Sequence, residues 1–173
     1  MKENTIVLIV VTAILVILLI SIQLPMSKDG NLTNNSTNSS INGTVRQMDN
    51  AYLQWTEVTS RSMRMHVSDI ANATNVGNYS NLETIGMYLS RDAEMSLNQS
   101  RYLEISSGLE SSLIDIQRSL EDYIIVGKYV ETGGKNHDDK LLMDAANYAK
   151  NASDHMTNAS TYVRIYKIAL NNK

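Results

Sequence analysis

The chain has 173 residues, with 15 Lys plus Arg against 18 Asp plus Glu and no cysteine. That length holds one ordinary domain once an apolar N-terminal stretch is set aside. The mildly acidic balance, with no basic run interleaved with aromatics, argues against nucleic acid as a partner. Without cysteine there are no disulfides, thiolate metal ligands or Cys nucleophiles, so stability rests on packing. A single proline, 8 glycines and abundant Ala, Met, Leu, Asn and Ser favour long helices over a turn-rich sheet fold. Phe is absent while Tyr occurs 9 times, which predicts tyrosines at bundle edges, where the hydroxyl reaches water.

From Ile6 to Leu24 the chain reads IVLIVVTAILVILLISIQL, about 19 residues without a charge, followed by Pro25. At ~1.5 Å per residue this helix spans ~28 Å, close to the ~30 Å hydrocarbon layer of a bilayer. A cleaved signal peptide has a shorter apolar region and a small-x-small cleavage site, whereas Pro25-Met26-Ser27 lacks the small residue at its first position. The expectation is therefore a cytoplasmic stub at 1–5 and an uncleaved transmembrane anchor at 6–25. Flanking charge leaves the orientation open, because Lys2 and the amino terminus stand against Lys28.

Asparagine supplies the orientation. The N-x-Ser/Thr acceptor pattern of glycosylation begins at Asn31, Asn34, Asn35, Asn38 and Asn42, and again at Asn72, Asn78, Asn98, Asn151 and Asn158. The first group lies in residues 26–43, an Asn/Ser/Thr-rich stretch too poor in apolar side chains to fold, expected to be a disordered tether. Such a spacer produces acceptor patterns by composition alone. Beyond it, composition predicts roughly two matches, fewer than the named five. The economical expectation is a cell-membrane protein, single-pass, with its C-terminal domain outside and open to glycosylation.

Residues 44–173 carry that domain. Apolar residues recur at helical spacing in four segments. Met48, Tyr52, Trp55, Thr59, Met63, Val67 and Ile70 line the first, about Thr44 to Ala73, which ends at Asn75-Val76-Gly77-Asn78. The second, about Asn81 to Ser106, carries Leu82, Ile85, Leu89 and Ala93, together with a line of small residues, Gly86, Ala93, Ser100 and Ser107, that admits a close neighbour. Gly108 is expected to close it. The third runs from about Leu109 to Glu131 and stops at Thr132-Gly133-Gly134; Asn136 or Asp138 then caps the fourth, about Asp138 to Asn171. Its seam is Leu142, Ala145, Ala149, Ala152, Met156, Ala159, Val163, Tyr166 and Leu170. The predicted fold is all-α: one N-terminal transmembrane helix, then an up-down-up-down four-helix bundle with coiled-coil-like seams. A continuous helix through Ser106-Ser107-Gly108 would instead give three helices. On the expected phases Asn72, Asn98, Asn151 and Asn158 face away from the seams, and Asn78 lies in a turn.

Chemistry-bearing groups are sparse. His66, His137 and His155 sit on different segments without a histidine one turn away, a poor zinc pattern. Met63 and Met65 in Met63-Arg64-Met65-His66 diverge on a helix and do not make a copper site. His137-Asp138-Asp139 suits a helix start, where carboxylates meet the positive end of the dipole. There is no G-x-S-x-G elbow, and Gly133-Gly134 is too short for a phosphate loop. No enzyme, metal or cofactor is expected.

One transmembrane helix leading into an external four-helix bundle resembles the ligand-sensing half of bacterial and archaeal chemoreceptors and sensor kinases, over about residues 6–173. The Asn/Ser/Thr tether after a bare apolar anchor also resembles archaeal cell-surface proteins, whereas the cleavage pattern of archaeal pilins is missing. The sensor resemblance implies a ligand bound between helices. The sequence carries no second span, relay domain or signalling segment, so output would pass through a partner protein. The leading expectation is a non-catalytic surface module that binds another membrane or envelope protein, or a second copy; the alternative is a small-ligand sensor. A buried pocket joining Tyr, Arg and His from three helices favours sensing, and an apolar seam with an exposed patch favours association.

Overall fold

A computed structural model describes residues 40–171, with side chains from 47 to 170. The expected stub and anchor, and the acceptors Asn31, Asn34, Asn35 and Asn38, lie outside the described residues. So does the side chain of Asn42.

The described chain forms α1 (Ser40–Asn75), α2 (Tyr79–Ser100), a 3-10 turn (Ser107–Leu109), α3 (Glu110–Asn136) and α4 (Asp139–Asn171). No strand occurs among these residues. Each helix packs on the next, and α1 also reaches α3 and α4 through side chains. Helix α1 begins at Ser40, so residues 40–43 are helical and not part of a tether.

Both turns at one end of the bundle share a design. After α1, Gly77 adopts φ 65°, Asn78 N–H bonds Ala73 O at 2.9 Å and Gly77 N–H bonds Thr74 O at 3.1 Å, which satisfies the last carbonyls of the helix. Asn78 Oδ1 then accepts Asn81 N–H at 3.1 Å and starts α2. After α3, His137 takes the left-handed position, φ 54°, with Asp138 N–H on Gly133 O at 2.9 Å. Asp138, one of the two expected caps, accepts the N–H groups of Lys140 and Leu141 at 3.0 and 3.2 Å. The two turns touch: the His137 ring stacks on Tyr79 at 4.4 Å, and Tyr79 donates to Asp139 Oδ1 at 2.7 Å.

Two expected breaks are corrected. Helix α3 runs through Thr132-Gly133-Gly134 to Asn136. A Cβ on Gly134 would stand 2.5 Å from Glu83 N, and one on Gly133 2.9 Å from the Leu142 side chain. These glycines mark close approach, not a turn. Gly108 does not close α2, which ends at Ser100 and unwinds through Arg101–Leu103; Gly108 lies in the 3-10 turn, under the Tyr166 ring. The second and third helices are thus separate.

Helix α3 is held on two sides at short range. Against α2, a Cβ on Gly127 would lie 2.5 Å from Ser90 N, and one on Gly86 2.3 Å from Glu131 N, so the two backbones are in contact. Against α4, Ser112 Oγ donates to Ala159 O at 3.0 Å and, two turns on, Ser119 Oγ donates to Ala152 O at 2.8 Å. The expected alanine seam of α4 is buried from Leu142 to Ala159, but Leu170 is exposed. Tyr52 and Tyr123 correct the expectation that tyrosines stay at edges, for both are buried.

Candidate functional site

The acceptor asparagines within the described side chains, Asn72, Asn78, Asn98, Asn151 and Asn158, are all exposed. The acceptor pattern also needs the hydroxyl two residues on, and there the positions divide. Thr74, Ser100 and Ser153, which follow Asn72, Asn98 and Asn151, are buried. Thr74 Oγ1 bonds Ile70 O at 2.7 Å, and Ser100 Oγ bonds Leu97 O at 2.6 Å while accepting Gln117 Nε2 at 3.0 Å. Ser80, after Asn78, is exposed, and Ser160, after Asn158, is half-buried. Capping of α2 uses Asn78 Oδ1 and leaves its amide nitrogen, the atom that carries a glycan, to solvent.

The second feature is interior. Where α1 meets α3 and α4 the lining is polar. Tyr52 donates to Ser112 Oγ at 2.7 Å, and Ser112 Oγ in turn donates to Ala159 O, so one hydrogen-bonded chain crosses three helices. Ser60 Oγ lies 3.2 Å from Met156 Sδ. Nearer the start of α1, Asp49 is 2% exposed. Its carboxylate accepts Ser106 N–H at 2.8 Å and the Tyr166 hydroxyl, tying the α2–α3 connection and α4 to α1. Thr56 Oγ1, near the Tyr52 phenol but without hydrogen-bond geometry, and Ser106 Oγ are the buried side-chain polar atoms without a partner among the described residues.

The titratable groups explain how this interior is held. Burial raises the Tyr52 phenol against the opposing bond to Ser112. Complete burial pushes Tyr123 up strongly, with Arg64 opposing. Burial raises the Asp122 carboxyl, with His155 opposing. Desolvation disfavours charge in each case, so both phenols are donors and not bases at neutral pH. The histidines are dispersed: His66 Nε2 meets Asp92 at 2.9 Å, His155 Nδ1 meets Asp115 at 3.1 Å, and His137 stacks on Tyr79. His66 and His155 are half-buried, and their carboxylate partners lie on other helices and carry no local sequence signal.

Comparison with protein families, with curated proteins and with solved structures finds no match. Among the described residues no helix is long and apolar enough to cross a membrane. The Ile6–Leu24 stretch lies outside them.

Proposed function

We propose that the chain is a membrane-anchored, extracytoplasmic helical module, single-pass with the bundle outside, that binds another membrane or envelope protein through its outer surface and carries out no catalysis. The observation that carries this reading is the commitment of the interior to packing. Gly86, Gly127 and Gly134 bring backbones together, and the Tyr52, Ser112 and Ser119 hydroxyls are bonded within the bundle. The surface is then where recognition takes place. The uncharged Ile6–Leu24 stretch and the exposed acceptor asparagines support the location.

Protease added to intact native cells should remove the bundle. Glycans on protein from those cells should map to some of the acceptors. Folded protein offered to an oligosaccharyl transferase should be modified at Asn78 in preference to Asn72, Asn98 and Asn151, whose hydroxyl partners are buried. A bundle that becomes cleavable only after the membrane is opened would overturn the reading.

The unpartnered Thr56 and Ser106 hydroxyls favour a second reading, a small polar ligand bound under the first half of α1 with output through a partner protein. Arg64 acts on Tyr123 and His155 on the neighbouring Asp122, so Arg, Tyr and His from three helices influence one region of the bundle. A ligand screen read by thermal shift separates the two, since only a sensor shows stabilisation that Thr56→Val abolishes.

A further inference from the structure

The last turns of α4 differ from the rest of the molecule. Up to Ala159 the helix buries a regular seam; beyond it Ile165 and Ile168 are 56% and 55% exposed, and Tyr162 and Leu170 are exposed as well. After Asp154 the sequence has no Asp or Glu, whereas Arg164, Lys167 and Lys173 follow. Arg164 and Lys167 border one edge of the Ile165–Ile168 stripe at helical spacing. An apolar stripe edged by cations and free of acids is the pattern of a helix that lies in a lipid interface.

Position agrees with chemistry. The Tyr166 hydroxyl bonds Asp49, so the end of α4 lies beside the start of α1. It is the chain ahead of α1 that leads back to the apolar Ile6–Leu24 stretch. About 15 residues separate Leu24 from Ser40, and at ~3.3 Å each they reach at most ~50 Å. That reach lets the bundle float well clear of a bilayer or come down onto it.

We propose that the C-terminal turns of α4 dock on the headgroup layer of an anionic bilayer, with Ile165 and Ile168 entering the interface and Arg164 and Lys167 meeting lipid phosphates. The proposal rests on the anchored reading above. Docking fixes the standoff of the bundle and presents its opposite end, with Val76 at 77% exposure, away from the membrane.

The test uses the full chain in liposomes of phosphatidylcholine with or without about 30% phosphatidylglycerol, a fraction chosen to give strong surface charge. The absence of native cysteine allows a single fluorescent reporter at Ile168→Cys, with Val76→Cys as the distal control. With the anionic lipid, the reporter at 168 should shift to the blue and be quenched at least threefold more by shallow spin-labelled lipid than the one at 76. Arg164→Gln with Lys167→Gln, or 0.5 M salt, should remove most of that difference. Equal, water-like signals at both positions would overturn docking. So would a blue shift that follows protein density and ignores lipid charge, which marks a second copy as the occupant. Alkaline carbonate extraction of the same vesicles tests the anchor separately: a chain that washes off overturns both proposals, and one that stays while the 168 reporter remains in water overturns docking alone.

Discussion

Helix α3 and helix α1 are both buried on one side or more, yet they are held by different physics. Along α3, residues without bulk bring backbone onto backbone: Gly127 on Ser90, Gly134 on Glu83, and Ser112 and Ser119 on the carbonyls of α4. Helix α1 stands further off and is tied by long side chains, Tyr52 to Ser112, Ser60 to Met156, and Tyr166 to Asp49. The first interface tolerates no added volume. The second loses only one bond at a time.

The contrast should break first at Gly127. Gly127→Ala improves helix propensity by about 1 kcal/mol, but the new methyl meets Ser90 N at 2.5 Å, so overpacking should give a net loss of about 3 kcal/mol in urea unfolding. Next comes α4: Ala152→Leu should cost about 1–3 kcal/mol, because Ala152 is buried against Ser119. The exposed neighbour Asn151→Leu should change stability by less than about 0.5 kcal/mol. Equal losses would mean the seam is elsewhere. On α1, Tyr52→Phe removes the donor to Ser112, while Ser112 keeps its bond to Ala159 O; a loss of about 1 kcal/mol is expected. Hydrogen exchange sharpens the point, since amides of α1 should open before those of α3.

The smallest effect is at the turn end and depends on pH. Burial, with Asp139 beside it, pushes the Tyr79 phenol up to about 12 from an ordinary 10.0. A folded-state pKa above the unfolded one means that this contribution to stability is complete below pH 10 and is lost as pH rises through about 12. Wild-type unfolding midpoints should fall more steeply over that window than those of Tyr79→Phe. Parallel curves would show that the phenol ionises alike in both states. Asp122 gives a companion check: its raised carboxyl favours the folded state in acid and loses that advantage as pH rises. Asp122→Asn should therefore stabilise at pH 7 and have little effect at pH 3.

Much of this arrangement was legible in the sequence, because the seams obey helical spacing. Met63, Val67 and Ile70, Leu82 and Leu89, Ile116 and Leu120, and Ala145 to Ala159 fall where periodicity puts them, and all are buried. The glycines carry an uneven signal. Gly86 and Ala93, two turns apart, mark a close-packed face and both are buried, but Gly127 and Gly134 carry the same spacing on the facing helix, where Gly133-Gly134 reads locally as a break. Local propensity penalises each such glycine by about 1 kcal/mol and contains no information about the helix that needs the gap. The buried polar links were not legible for a related reason. Tyr52–Ser112, His155–Asp115 and Asp49–Tyr166 join residues far apart in the chain, and a pairing of that kind exists only once the helices have met. The acceptor asparagines are legible as exposed and Ser100 as part of the close-packed line of small residues, whereas no local signal marks Thr74 and Ser153 as buried.

The glycine contacts of α3 have a mechanical side. To slide along α2 by even one residue, ~1.5 Å, α3 would have to carry Gly127 off Ser90 and bring Val126 or Lys128 toward a gap that admits no Cβ. The same ratchet, set by Ser112 and Ser119 on the carbonyls of α4, holds its other flank. Helices α2, α3 and α4 are therefore interlocked against sliding. Helix α1 carries no such ratchet, since hydroxyl, carboxylate and thioether contacts tie it to α3 and α4, and α1 is the described helix that follows the N-terminal apolar stretch in the sequence.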